Sequence, residues 1–265
     1  MISNKYHKIK LKTMNEYIID EEYVYRLNDE KNNIWDIYKN GNKNPKSCKQ
    51  LYKYYSLNLY SIDALLRNYF YLANPSSFND PFDCNINLIK DVQNISKYTS
   101  VKRNNVRNIG ICCLSETLDN HLMWAHYTNN YNGFCLGFRG DNIDANANRE
   151  IFPRHSFTKV IYPASPVSIE QQLPFAQNYL FTTKFKHWEY EQEWRLIAEI
   201  TNEREMIFYP ESVEAIYIGH SIVDTNPSAY KLLLEIQEIK FPQIPVYVVY
   251  PAPFELKLKF EKVWN

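Results

Sequence analysis

The distribution of hydrophobic and polar positions along the chain changes near residue 50. Residues 1–50 are rich in Lys, Asn, Glu and Asp and carry a weak helical pattern of apolar side chains between Tyr17 and Ile37. The segment GNKNPKS, residues 41–47, then interrupts this pattern with turn-forming residues. We therefore predict a helical N-terminal extension and linker over residues 1–50, followed by an α+β domain over residues 51–265.

Beyond residue 50, apolar runs of strand length are mixed with segments of helical spacing. The runs LYKYYS, NIGICCLS, VEAIYIG and PVYVVY are typical of strands, whereas SIDALLRNY and PSAYKLLLEIQEI place apolar residues at helical spacing. The two kinds of segment follow each other without a regular βαβ repeat. The predicted fold class is α+β, with a single mixed or mostly antiparallel sheet at the core and peripheral helices.

The segment WEYEQEWRLIAEI has the alternating pattern of a strand. Alternation would place Glu191, Glu193 and Arg195 on one face of that strand. Two carboxylates and a guanidinium on one face are costly when they are buried without partners. The pattern indicates either a solvated outer face with cross-strand ion pairs or a carboxylate pair that Arg195 orients inside a cleft.

Composition and charge argue against several classes of function. The chain has 30 Lys and Arg against 30 Asp and Glu, so it lacks the overall positive charge used in non-specific nucleic-acid binding. Only 6 glycines are present and no glycine-rich phosphate-binding motif occurs. The 5 cysteines show no zinc-ligand spacing and indicate free thiols in a reducing compartment. With no apolar run of roughly 20 residues and no signal peptide, we expect a cytoplasmic protein without a membrane partner.

The turn FNDPFD follows a predicted strand and carries three polar side chains. They belong to Asn79, Asp80 and Asp83, which surround Pro81. A structural Asx-type turn explains this sequence, and so does a pocket rim that touches ribose or a metal. The spacing alone does not decide between the two interpretations.

The segment MWAHYTNNYNGFCLGF places a histidine between two large aromatic residues. Trp124, His126 and Tyr127 fall near the end of a predicted helix, where the helix dipole favours a histidine for structural reasons alone. The same three side chains suit the wall of a site for a flat ring such as adenine or nicotinamide.

Several of these segments together resemble a known bacterial domain family. They are LYKYYS, the FNDPFD turn, MWAHY with GFCLGF, KHWEYEQEWRLI and the following IYIG. This combination resembles family DUF2971 over residues 51–219. The resemblance implies that the clusters belong to one domain, and the family's occurrence in variable bacterial genomes suggests phage defence or a toxin system.

A second resemblance concerns mechanism. ADP-ribosyltransferases of the diphtheria and cholera toxin superfamily carry, in chain order, a basic residue or His on a first strand, a polar or aromatic residue later, and a Glu, sometimes within E-x-E. This chain is similar in order, with Lys53 or Tyr54 first, MWAHY next and Glu191-Gln192-Glu193 last, although the Ser-Thr-Ser signature is absent. The resemblance implies an ADP-ribosyltransferase-like fold and NAD as the substrate.

These observations lead to the hypothesis of an enzyme that cleaves the nicotinamide–ribose bond of NAD and transfers ADP-ribose to an unknown macromolecular acceptor. Cleavage develops oxocarbenium character at the sugar, which a carboxylate stabilises. Glu193 is the predicted main catalytic carboxylate, with Glu191 as its partner and His126 as a third catalytic residue, and no metal is expected. The predicted substrate-binding residues are Tyr52, Lys53, Tyr54, Asn79, Asp80, Asp83, Trp124, Tyr127, Trp188, Tyr190 and Arg195.

Two alternative functions use the same residues. A metal-dependent nuclease or hydrolase would hold a divalent ion with Asp80, Asp83, His126 and Glu193. A non-catalytic module would bind a nucleotide on the same face without turnover. For the enzyme, Glu193→Gln is expected to abolish activity and to leave the fold intact, because the side chain keeps its size.

Overall fold

A computed structural model describes residues 11–13, 15–31, 34–90, 108–140 and 154–264, together with Ile143 and Phe152. The α-helices in this part of the chain are α1 (Leu59–Arg67), α2 (His121–Tyr127), α3 (Ala176–Thr182), α4 (His220–Thr225) and α5 (Pro227–Lys240). The strands are β1 (Leu11–Thr13), β2 (Glu16–Ile18), β3 (Tyr23–Asp29), β4 (Ile34–Lys39), β5 (Asn42–Lys43), β6 (Gln50–Ser56), β7 (Tyr69–Tyr71), β8 (Ile89–Lys90), β9 (Ile109–Ser115), β10 (Gly133–Arg139), β11 (His155–Lys159), β12 (Ile169–Glu170), β13 (Glu193–Glu199), β14 (Glu205–Ile207), β15 (Val213–Gly219), β16 (Val246–Pro251) and β17 (Leu258–Trp264). No helix within these ranges is long and apolar enough to cross a membrane.

The chain divides into two compact units. The first comprises Met1–Lys46, Pro75–Val106 and Lys159–Glu189, and the second comprises Ser47–Asn74, Arg107–Thr158 and Tyr190–Asn265. The grouping differs from the predicted single domain over residues 51–265, because two inserted segments cluster with the N-terminal residues. Contacts between segments far apart in sequence define this grouping, and a pattern along the chain does not reveal them.

The first unit is built on a five-stranded antiparallel sheet in the order β1-β2-β3-β4-β5. Tyr23 and Tyr25 are buried on β3, and the residues that follow each of them are half-buried. This is the period of two that a strand with one packed face requires. The ring of Tyr25 stacks on Phe175, which directly precedes α3, at 4.2 Å between centroids. The helical prediction for residues 1–50 is therefore wrong in the described part, and residues 1–10 lie outside it.

The second unit is built on an eight-stranded sheet in the order β11-β13-β9-β6-β10-β15-β16-β17. The registered neighbours pair antiparallel except β15 and β16, which are parallel. This architecture confirms the predicted α+β class with a large mixed sheet and several helices. The prediction of one single sheet is wrong, since the described residues also form the five-stranded sheet and two pairs, β8 with β12 and β7 with β14.

Alternate residues of the eight-stranded sheet enter two different clusters, as the pleat requires. One cluster is the main core and includes Leu114, Leu136 and Ile216 with Leu233 and Ile236 of α5. The other cluster is mostly aromatic and contains Tyr52, Tyr54, Met123, Trp124, Cys135, Ala215, Tyr217 and Val249. Helix α2 supplies Met123 and Trp124 to the second cluster. Its last residue, Tyr127, contacts Glu191, two residues before β13.

Candidate functional site

The chain enters β13 through a tight turn that is tied to the end of β9. A short 3₁₀ helix, Lys186–Glu191, ends at this turn, and Gln192 follows with a φ of 44°. Ser115 Oγ donates a hydrogen bond to the Glu191 carbonyl oxygen at 2.5 Å. The Glu116 N–H donates to the Gln192 carbonyl oxygen at 3.1 Å. These two bonds fix the position of Glu191 relative to the first residue of the strand.

The turn changes the predicted arrangement of the charged residues. Glu193 and Arg195 lie on β13 and share one face, as the alternation predicts. Glu191 belongs to the 3₁₀ helix instead, so the prediction of three residues on one strand face is wrong for this residue. The reason is the left-handed backbone of Gln192, which an alternating pattern does not reveal, since non-glycine residues adopt it rarely.

Glu193 and Arg195 form a buried bidentate ion pair. Arg195 Nε donates to Glu193 Oε1 at 2.8 Å and Nη2 donates to Oε2 at 3.1 Å. The side chains are 0% and 4% exposed for Arg195 and Glu193 respectively. A buried charge is tolerated when an opposite charge and hydrogen bonds satisfy it. Glu193→Gln would therefore leave Arg195 without its counter-charge, and the effect of this substitution on activity and on the fold stays a prediction.

Glu191 has a different partner, the last residue of α2. The Tyr127 hydroxyl donates to Glu191 Oε1 at 2.5 Å. Burial and the negative charge of Glu191 raise the pKa of Tyr127 far above its ordinary value, so the phenol remains a hydrogen-bond donor. Asn120 caps α2 by accepting from the Leu122 N–H at 2.8 Å and also donates to the Tyr190 carbonyl oxygen at 3.3 Å. The cap thus positions the helix and the 3₁₀ segment together.

The neighbouring strand adds two groups on the same face of the sheet. The β9–β13 register pairs Glu193 with Ser115 and Arg195 with Cys113. Directly opposed residues of an antiparallel pair project to the same side. Cys113 is half-buried, and burial together with the Glu193 carboxylate raises the pKa of its thiol well above the ordinary value. Cys113 and Ser115 are not among the predicted site residues, because only the strand register places them beside the glutamates.

Lys53 reaches the edge of this cluster through a gap between strands. The β6–β9 ladder pairs Tyr52 with Ser115, and Lys53 Nζ donates to the Cys113 carbonyl oxygen at 3.0 Å. The ammonium group therefore takes the place of a backbone partner where the two strands diverge. We call the group of Glu191, Glu193, Arg195, Tyr127, Cys113 and Lys53 the buried polar cluster.

The predicted aromatic binding residues form a packed layer next to the buried polar cluster. Trp124 is completely buried and its Nε1 donates to the Leu118 carbonyl oxygen at 2.8 Å. The Tyr54 hydroxyl donates to the Thr117 carbonyl oxygen at 2.7 Å. Burial raises the pKa of Tyr52 to about 12. Tyr52, Tyr54, Trp124 and Tyr190 all pack in this layer, and their role in substrate binding stays a prediction.

His126 is not part of the buried polar cluster. It is exposed on α2, and its side chain has no hydrogen bond or ion pair with any residue that the structure describes. Its neighbour Tyr127 points towards Glu191 instead, because successive helical residues project about 100° apart. Within the described ranges, no group of three or more His, Cys, Asp or Glu side chains is placed to hold a metal ion.

The FNDPFD turn and Trp188 belong to the first unit, whereas the buried polar cluster lies within the second. Asp80 Oδ1 accepts from the Phe82 N–H at 2.8 Å, the bond of a structural Asx turn. Asp83 lies 3.6 Å from Lys184 Nζ, which is also 4.9 Å from the centre of the Trp188 ring. Asn79 is exposed. The role of these residues at the rim of the glutamate site stays a prediction.

The segment that matches a known family contains both Glu191 and Glu193. Residues 123–196 match the family model described as a protein of unknown function, DUF2971. The chain matches no curated protein and no solved structure. The predicted resemblance to this family is confirmed over a shorter segment than residues 51–219. The chain is thus similar to DUF2971 across the segment from α2 to β13.

Proposed function

We propose that the chain is an ADP-ribosyltransferase-like enzyme that cleaves the nicotinamide–ribose bond of NAD. The observation that carries the proposal is a pair of buried carboxylates, Glu191 and Glu193, each held by a different donor, Tyr127 and Arg195. Two carboxyl groups with different surroundings take different roles in glycosyl chemistry. In this proposal the two glutamates differ in role because Glu191 has a neutral phenol as its partner, whereas Glu193 has a charged guanidinium.

In the proposed reaction, Glu193 stabilises the sugar and Glu191 handles the proton. The bond between the ribose carbon and the nicotinamide nitrogen breaks, and its electron pair leaves with nicotinamide. The fixed negative charge of Glu193 offsets the positive charge that develops on the ribose. A bond then forms between the same carbon and a nucleophilic atom of the acceptor, whose proton passes to Glu191. Tyr127 orients the Glu191 carboxylate during this transfer.

Three members of the buried polar cluster indicate the direction from which a substrate would approach. Lys53, Cys113 and Tyr127 are half-buried, whereas Glu191 and Glu193 are buried. The cluster therefore meets solvent beside these three side chains. Exclusion of water from the carboxylates strengthens their electrostatic effect on a bound ribose.

The test is release of nicotinamide from NAD by the purified chain, with and without a chelator, together with transfer of labelled ADP-ribose to protein or nucleic acid. Glu191→Gln is expected to lower turnover by roughly a hundredfold or more, because the amide no longer accepts a proton. Tyr127→Phe is expected to lower it by about tenfold through loss of orientation. The matched control is Glu189→Gln, which alters a 38% exposed glutamate in the same 3₁₀ helix.

Three outcomes contradict the proposal in different ways. Equal turnover in Glu191→Gln and Glu189→Gln would remove Glu191 from the chemistry. Cleavage of nucleic acid that stops on chelation would favour the metal-dependent nuclease. Nucleotide binding without any product would favour the non-catalytic module, an alternative that the low exposure of both carboxylates supports.

A further inference from the structure

Strand β17 forms one edge of the eight-stranded sheet. It pairs with β16, and no other strand among the described residues lies along its outer side. An edge strand presents a row of backbone N–H and C=O groups that a further strand can pair with. Its 7 residues exceed the usual strand length of about 5–6, so this edge is not protected by shortness.

The backbone bonds between β16 and β17 follow a regular alternation. The Ala252 N–H donates to the Lys257 carbonyl oxygen at 2.8 Å, and the next opposed residues are Pro251 and Leu258. Hydrogen-bonded and non-hydrogen-bonded pairs alternate along an antiparallel ladder. Pro251 therefore occupies a non-hydrogen-bonded position, which suits a residue without an N–H.

The same alternation determines which backbone groups of β17 face outwards. Lys259 and Glu261 occupy hydrogen-bonded positions and bond to β16. Leu258, Phe260 and Lys262 occupy the other positions, so their N–H and C=O groups point to the outer edge. A second strand can therefore form hydrogen bonds with these three residues.

The side chains of β17 divide into an apolar and a charged set. Leu258 and Phe260 are partly buried against the aromatic cluster on one face of the sheet. Phe260 meets Tyr217 edge to face, with 6.0 Å between ring centroids. Lys259 and Glu261 project from the opposite face, where they are exposed and paired with each other. The outer edge is thus bordered on that face by one positive and one negative group.

This charged set is complementary to a second copy of itself. If two β17 strands pair antiparallel about a two-fold axis at Phe260, Lys259 of each copy lies opposite Glu261 of the other. These are non-hydrogen-bonded pairs of the new ladder, in which side chains approach most closely. Opposite charges at such positions stabilise strand pairing. The ion pair within each exposed strand contributes little, so its exchange for cross-strand pairs costs little.

The neighbouring antiparallel registers place like charges together. A two-fold axis at Lys259 sets this lysine opposite its own copy, and an axis at Glu261 does the same for the glutamate. Like charges directly opposite each other are destabilising. An axis between two residues would oppose an outward-facing backbone with an inward-facing one, which the ladder does not allow. The charges therefore select the register centred on Phe260.

We propose that two copies of the chain associate through β17 and form a continuous sheet across a two-fold axis at Phe260. In this arrangement Phe260 of each copy exchanges backbone hydrogen bonds with Phe260 of the other, and the two rings extend the aromatic cluster across the axis. Charged edge strands often prevent association, because lysines along an edge repel a further copy. The mixed charges of β17 attract a copy in this register instead. The proposal is independent of the chemistry of Glu191 and Glu193.

Sedimentation equilibrium of the full chain over a range of concentrations tests this proposal. A contact of one strand from each copy lies at the small end of specific interfaces, so wild type is expected to convert from single chains to dimers as its concentration rises. Lys259→Glu and Glu261→Lys each replace attractive cross-strand pairs with repulsive ones. Each substitution is expected to weaken the association by about tenfold or more.

Exchange of the charges separates pairing from misfolding. An equimolar mixture of the Lys259→Glu and Glu261→Lys chains opposes acid to base at both positions, so it is expected to form heterodimers with wild-type affinity. The double variant Lys259→Glu with Glu261→Lys restores complementarity and should dimerise as wild type does. Recovery in both cases shows that the single variants are folded and lose only the pairing.

The matched control is the exposed pair Lys231 and Glu235 on α5. Lys231→Glu and Glu235→Lys make the same changes of net charge away from β17, and neither should alter the dimer. Wild type that remains a single chain at every concentration overturns the proposal. A dimer that persists in Lys259→Glu overturns it too, as does a mixture of the two single variants that associates no better than either alone. Glu191→Gln should dimerise normally, which separates this result from the proposed enzyme activity.

Discussion

Replacing one charged side chain of the Glu193–Arg195 pair should destabilise the chain far more than replacing both with apolar side chains. Arg195→Met keeps most of the side-chain volume and leaves the Glu193 carboxylate without its guanidinium. Both side chains are almost completely buried, so water does not replace the lost partner. Breaking a buried pair on one side costs about 3–5 kcal/mol.

The double variant Glu193→Leu with Arg195→Met removes both charges and fills the space with apolar atoms. Replacement of a complete buried pair is often neutral or stabilising. Lys53 interacts electrostatically with Glu193 and loses this compensation in the double variant. We therefore expect only partial recovery, with the double variant about 2 kcal/mol more stable than Arg195→Met. The exposed pair Arg154–Glu199 at the other end of β13 provides the control. Its side chains are 82% and 47% exposed, so Arg154→Met should cost about 1 kcal/mol or less.

Urea unfolding followed by far-ultraviolet circular dichroism and tryptophan fluorescence measures these differences. The slope of each transition must stay constant for the comparison to report stability alone. A cost for Arg195→Met as small as that for Arg154→Met would refute the reasoning, because it would mean that the pair is hydrated. The reasoning would also be refuted if the losses of stability in Glu193→Leu and Arg195→Met simply added up in the double variant.

Three further predictions concern stability. Because burial and the Glu191 charge raise the pKa of Tyr127 above its ordinary value of 10.0, its stabilising contribution is complete below pH 10 and falls above it by about 1.4 kcal/mol per pH unit. Tyr127→Phe should reduce the loss of stability measured by urea unfolding between about pH 9 and 11, and an unchanged slope would contradict this. Gly133→Ala places a Cβ 2.1 Å from the Tyr55 carbonyl oxygen and should cost about 2 kcal/mol or more in the same assay. A Cβ at Gly41 meets no described atom within 4 Å, so Gly41→Ala is strained only by the φ of +79° and should cost about 1 kcal/mol of stability. Asn58→Ala removes the capping box of α1 and should lower stability by about 1 kcal/mol, whereas Asn58→Asp should retain it.

The sequence predicts most elements of the second unit because their patterns are local. NIGICCLS is a continuous apolar run and becomes β9, at the buried centre of the sheet. The predicted helix that carries Trp124, His126 and Tyr127 becomes α2. The same reasoning fails for the N-terminal region, where Tyr23 and Tyr25 alternate with half-buried residues. A helical interpretation of widely spaced apolar residues overlooked this shorter period.

The sequence by itself determined that Glu193 and Arg195 project from one face, because alternation is a property of any strand. Only the tertiary structure decided the partners of the two glutamates. Tyr127 and Glu191 lie 64 residues apart, and Gln192 turns the chain so that Glu191 meets the end of α2. Pairing at such distances depends on strand register and helix placement, which leave no periodic trace in the sequence.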